Sequence, residues 1–124
     1  MKQRFFICKH CGQIIAKVND TNVPVICCGE IMSEIIPSTT DASIEKHVPV
    51  FEIKNNKVIV TVGSTLHPMT PDHYIEWISL QTKQGNQRKI LSPNDPPTAC
   101  FSICEDDEVE AVFAYCNLHS LWKN

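Results

Sequence analysis

The chain has 124 residues and a mass of 14.0 kDa, enough for one ordinary domain or two very small ones. Hydrophobic residues make up 43% and charged residues 20%, which supports a packed core and excludes a disordered chain. With 11 Lys and Arg against 14 Asp and Glu the net charge is -3, so the basic face of a nucleic-acid binder is missing.

The start of the chain, Met1-Lys2-Gln3-Arg4, is basic, but the apolar run after it is only Phe5-Phe6-Ile7-Cys8. That run is too short for a secretory signal, and no later run approaches the roughly 20 residues that cross a bilayer. A cytoplasmic protein with no membrane partner is expected. Its 7 cysteines are an odd number, which in that compartment points to metal thiolates ahead of a disulfide framework.

Cys8-Lys9-His10-Cys11-Gly12 is the first cluster. Two residues between the cysteines let both sulfurs reach one metal, and Gly12 lets the backbone turn beside it. Cys27-Cys28-Gly29 supplies the second pair. Four thiolates suit a tetrahedral site, and the spacing fits zinc and iron equally. Adjacent cysteines in extended backbone point to opposite sides, so a strained tetrahedron is expected there. His10 is read as solvent-facing. A unit of residues 1–36 is too small to fold on its apolar core and needs such a staple. The polar stretch Pro37–Ser43 is read as a linker to a second domain, residues 37–124.

The second region reads as all-β. Val58–Val62 is β-branched, and Asn55-Asn56 turns it back on Phe51–Ile53. Tyr74–Leu80 is a further strand, ended by Lys83–Asn86. Ala99–Cys104 and Val109–Tyr115 are expected to pair across the acidic turn Glu105–Glu108. Eight prolines leave little room for helices, and short strands at this spacing suggest a β-sandwich. Cys100 and Cys104 are expected as buried thiols, and Trp77, Trp122 and Tyr115 as packing residues.

His47, His67, His73, Cys116 and His119 all fall in this second region. The segment from His67 to His73 holds two prolines, so its histidines sit on a loop and not on a zinc-binding helix. Four imidazoles and one thiolate suit neither closed structural zinc nor a hard-oxygen metal. They suit a redox transition metal with one vacant position, and the count favours iron.

These motifs run in one order: Cys8-x-x-Cys11, Cys27-Cys28-Gly29, Glu45-Lys46-His47-Val48-Pro49, Gly63-Ser64-x-x-His67-Pro68-Met69, His73-Tyr74-Ile75-Glu76-Trp77 and Cys116-Asn117-Leu118-His119. In them the chain resembles the desulfoferrodoxins, the two-iron superoxide reductases. The resemblance implies a small desulforedoxin-like domain, with iron on Cys8, Cys11, Cys27 and Cys28, followed by an immunoglobulin-like, neelaredoxin-like β-sandwich. It implies a second iron held by His47, His67, His73 and His119 with Cys116 axial; zinc stays open for the four-cysteine site. It further implies one-electron reduction of superoxide to hydrogen peroxide, a rubredoxin-like donor and a homodimer. Lys46 would attract the anion, and Glu45 would take the vacant position after oxidation. Both charges reach the metal only if their segment is an irregular loop, since strand alternation would part them. The rival reading is a metal-stapled electron carrier or interaction module without catalysis.

Overall fold

The computed structural model describes residues 2–40, 47–63 and 66–124, so Glu45 and Lys46 lie outside the described residues. Among the described residues there are twelve strands and no α-helix. The chain divides into two compact units, Met1–Ile36 and Pro37–Asn124.

The first unit holds β1 (Phe5–Ile7), β2 (Ile14–Ala16), β3 (Ile26–Cys27), β4 (Glu30–Ile31) and β5 (Ser33–Ile35). β1 is the middle of an antiparallel sheet, with β2 and β5 on its flanks, and β3 and β4 form a two-stranded hairpin. Its core cluster is Phe6, Cys8 and Met32, with Ile15 and Cys27 packed on it. Cysteines thus occupy part of the small volume that apolar side chains would otherwise fill. Arg4 adds an external clasp: its guanidinium forks onto Glu34 at 2.9 and 3.2 Å and reaches Asp20 at 2.7 Å.

The second unit holds β6 (Pro49–Lys54), β7 (Lys57–Val62), β8 (Ile75–Thr82), β9 (Gly85–Ile90), β10 (Thr98–Ser102), β11 (Val109–Cys116) and β12 (Ser120–Lys123). They form two antiparallel sheets, in the orders β10-β7-β6 and β12-β11-β8-β9. Val58, Val60 and Val62 of β7 and Phe101 of β10 meet Ile75, Ile78 and Leu80 of β8 and Val112 and Ala114 of β11 in one core. This three-on-four arrangement is the expected immunoglobulin-like sandwich. The Asn55-Asn56 hairpin forms as read, with Asn55 at φ 55°, a left-handed conformation that asparagine tolerates.

Several elements differ from the sequence reading. β10 pairs with β7, and β11 pairs with β8 and β12, so the two strands flanking the acidic turn belong to different sheets. That turn crosses the edge of the sandwich. β9, exposed along its whole length, follows where only a turn is expected, because an edge strand of polar residues carries no alternation. Ser38, inside the expected linker, bridges Trp122 in parallel. Cys100 and Cys104 are exposed, not buried. Phe101 is fully buried, and the far larger apolar area of its ring decides which face of β10 turns inward.

Candidate metal centres

In the first unit the sulfurs of Cys8, Cys11, Cys27 and Cys28 all lie within 4.8 Å of one another. The Cys8–Cys11 turn is closed by the Gly12 N–H donating to the Cys8 carbonyl at 2.9 Å, with Gly12 at φ 82°. Cys28 leaves the extended conformation for φ 53°, and Gly29 follows at φ 77°. This left-handed step resolves the adjacent-cysteine problem: β3 ends at Cys27, and the turn swings both sulfurs to one side. Backbone N–H groups of Cys11 and then His10 face the Cys8 sulfur and hold its pKa down at about 6. Its own S–H donating to the Cys8 and Cys11 sulfurs pushes the Cys27 thiol up to about 12. Four sulfurs so crowded favour loss of protons to a shared cation over four separate thiols. His10 is exposed as read, 3.0 Å from Glu30.

In the second unit the ligand candidates gather at one end of the sandwich. His47 stands just before β6, and His67 returns at the end of β7, where its N–H donates to the Val62 carbonyl. His73 is held by a tight turn in which Thr70 and His73 exchange backbone hydrogen bonds at 2.9 and 3.1 Å. Cys116 ends β11 beside the start of β8. There the register slips by one residue, with Tyr115 opposite Trp77 but Cys116 opposite Ile75, so Glu76 is a bulge. The bulge sits where the sheet must aim side chains at the cluster.

The four imidazoles stand at the corners of a square. Neighbouring ring centres are 4.6 Å apart for His47–His67, 4.7 Å for His67–His73, 5.2 Å for His73–His119 and 4.8 Å for His119–His47. The His47–His73 diagonal is longer, 6.5 Å, and each neighbouring pair is set edge to face at 63° to 82°. Ligand atoms of His47, His67, His73 and Cys116 all lie within 4.8 Å of one another. His119 stands outside that tightest set, yet its Nδ1 is 3.1 Å from His47 Nε2 and 3.8 Å from Cys116 Sγ. One sulfur, that of Cys116, thus lies within reach of ligand atoms on all four rings. It faces the core, since Cys116 is 0% exposed, whereas His119 is exposed.

The donor set fits one transition-metal ion. Two nitrogens each about 2.1 Å from an ion and at right angles to it lie about 3.0 Å apart, close to the His47–His119 separation. Two such nitrogens on opposite sides of an ion lie about 4.2 Å apart, a little inside the 4.8 Å span of the cluster. The surroundings also orient the rings. His67 Nδ1 lies 2.7 Å from the Pro68 carbonyl, which only accepts, so Nδ1 carries the proton and the buried Nε2 presents its lone pair. Trp122, expected as a packing residue, instead lies against the site. It stacks on His47 at 4.6 Å and 17°, and its indole N–H donates to the His119 carbonyl at 3.0 Å. No sequence spacing carries that signal, because the stack joins residues from opposite ends of the second unit. Tyr115 stacks on Trp77 at 5.5 Å, and burial raises its pKa.

The family model named Desulfoferrodoxin matches residues 39–124, the whole span of the histidine and Cys116 motifs. This chain belongs to the desulfoferrodoxin family. A desulfoferrodoxin homolog of Archaeoglobus fulgidus is 45% identical over 117 residues, which cover 94% of this chain and 92% of that one. Among solved structures, the superoxide reductase from Treponema pallidum matches with a TM-score of 0.87 and 35% identity, over 99% of this chain and 98% of that one. The superoxide reductase (1Fe-SOR) from Giardia intestinalis covers 64% of this desulfoferrodoxin chain and 95% of its own, at 36% identity and a TM-score of 0.54.

Proposed function

We propose that the chain is a superoxide reductase, and that the square of four imidazoles over one buried thiolate carries the activity. His47, His67, His73, His119 and Cys116 are the ligands of a catalytic iron. Cys8, Cys11, Cys27 and Cys28 hold a second iron. Bound iron supplies a one-electron couple to the first site. Superoxide takes up one electron and two protons to give hydrogen peroxide, and the electron is replaced by an outside reductant such as a rubredoxin-like protein.

The chain's own groups set the terms of that exchange. Burial of Cys116 keeps water from the sulfur, so its charge bears on the ligand square with little screening. The edge-to-face rings bring four imidazole donors round one point, and His119 is their exposed member. Lys46, next to His47 in the chain, would be the cation that draws the superoxide anion in, and Glu45 would be a carboxylate ligand available to the oxidised iron. Domain roles follow the two compact units, with catalysis in residues 37–124.

Among the described residues no helix is long and apolar enough to cross a membrane, and we place the protein in the cytoplasm. We take it to be a homodimer. The exposed cross-strand pair Ile26 and Ile31 on the β3–β4 hairpin is apolar surface that a second copy would cover. Sedimentation at micromolar concentration is expected to give twice the chain mass, and a monomer would contradict the dimer.

The test of function is Cys116→Ser. Serine preserves shape but not the sulfur donor, so superoxide reduction is expected to fall to background while the four-cysteine chromophore stays. Unchanged reduction would exclude Cys116 as a ligand. Lys46→Ile is expected to slow the reaction with superoxide at low salt and to flatten its dependence on ionic strength. An unchanged rate at low salt would remove Lys46 from the mechanism.

A further inference from the structure

Asn117 follows Cys116 directly and is not among the ligand candidates, yet it is hydrogen-bonded to the His73 loop through both its side chain and its backbone. Its side-chain Oδ1 accepts from the Tyr74 N–H at 2.9 Å, and its Nδ2 donates to the Asp72 carbonyl at 2.9 Å. Its own backbone N–H donates to the Tyr74 carbonyl at 3.2 Å. Asp72 and Tyr74 are the residues on either side of His73. Three hydrogen bonds from one residue therefore grip the backbone before and after one imidazole, and that residue is covalently joined to the sulfur-bearing cysteine.

The sheet itself does not do this. The β8–β11 ladder slips at the Glu76 bulge, immediately before the His73 loop. The Thr70–His73 hydrogen bonds close the loop on itself without tying it to β11. Asn117 spans that gap. We propose that Asn117 is a positioning residue that sets His73 against the Cys116 sulfur and so fixes one corner of the imidazole square. The inference rests on the reading of that square as an iron site. The chemistry suits an amide, whose oxygen accepts at one end while its NH2 donates at the other. Aspartate would keep the bond from Tyr74, lose the donor, and turn an anionic oxygen on the Asp72 carbonyl.

The experiment compares wild type, Asn117→Ala and Asn117→Asp, each loaded with ferrous iron and then oxidised. The readouts are the visible spectrum, iron retention against a chelator and thermal unfolding of the metal-free chains. The four-cysteine absorption in the same molecule is the internal reference for folding and loading. Both variants are expected to hold iron in the histidine site about 10- to 100-fold more weakly and to shift its sulfur-to-iron band, with the four-cysteine band unmoved. A lower unfolding temperature with unchanged band position and retention would overturn the positioning role and leave Asn117 a structural residue. Should the alanine variant not fold, the near-isosteric aspartate decides alone, by the same two readouts. If wild type itself gives no band beyond that of the four cysteines, the iron reading fails, and the clamp falls with it.

Discussion

Single residues carry most of the site, and the sequence makes the ligands legible for a physical reason. Metal donors belong to few residue types, and here they fall in short clusters whose spacing matches a shared centre: Cys8-x-x-Cys11, His67 to His73 and Cys116 to His119. What surrounds them is not legible in that way. Cys27-Cys28 reads as a strained pair on an extended strand, but the φ of 53° at Cys28 is a turn conformation that spacing does not announce. Trp122 and Asn117 act through contacts that appear only once β11, β12 and the two histidine loops have met. Cys100 and Cys104 read inward although Phe101 and Ile103 share the opposite face of their strand, and it is the Phe101 face that is buried. A Phe101→Ala variant is expected to lose about 3–5 kcal/mol of stability, because the ring is fully buried between the sheets. Urea denaturation followed by circular dichroism checks it, and a loss under 1 kcal/mol would contradict that packing.

Strands and turns divide along the same line. Val58–Val62 and its Asn-Asn turn are legible because β-branched alternation and a left-handed asparagine are local signals. β9 and β12 are not, since their pairing partners, and not their own composition, make them strands. The crossover at the acidic turn escapes for the same reason, yet the turn is ordered by a charge. Asp107 accepts from Thr82 Oγ1 at 2.6 Å, from the Glu108 N–H at 2.8 Å and from the Gln84 N–H at 3.2 Å, tying the β10–β11 turn to the β8–β9 turn. These bonds, Thr82 first, hold the Asp107 carboxyl below its ordinary value of 3.8. Because the folded value is depressed, the stabilisation is fully present above the ordinary value and is lost as pH falls through the folded one. Asp107→Ala is therefore expected to melt below wild type by a constant margin from pH 5 to pH 8, and the margin should shrink as pH drops under about 4. A margin that stayed constant into acid, or grew, would contradict the role given to the carboxylate.

At the scale of the whole molecule, the two compact units rest on different supports. Residues 37–124 bury a two-sheet apolar core, whereas a core cluster of the first 36 residues, Phe6, Cys8 and Met32, counts a candidate ligand among its three members. Cys8→Ser is accordingly expected to abolish the four-cysteine band and to loosen the first unit, while the histidine site keeps its superoxide-reducing rate, since every one of its candidate ligands lies in the second unit. Stopped-flow superoxide consumption by that variant checks the division, and a loss of more than about tenfold would mean that the first metal takes part in the reduction itself. The central claim is that iron on four imidazoles and one buried thiolate reduces superoxide. It is tested most directly by mixing anaerobic, fully reduced protein with sub-stoichiometric superoxide and following visible absorption. A new sulfur-to-iron band is expected to grow in proportion to the superoxide added, with one oxidised centre and one hydrogen peroxide for each superoxide and no such band in Cys116→Ser. A protein that stays colourless, or that returns oxygen along with peroxide, would contradict it.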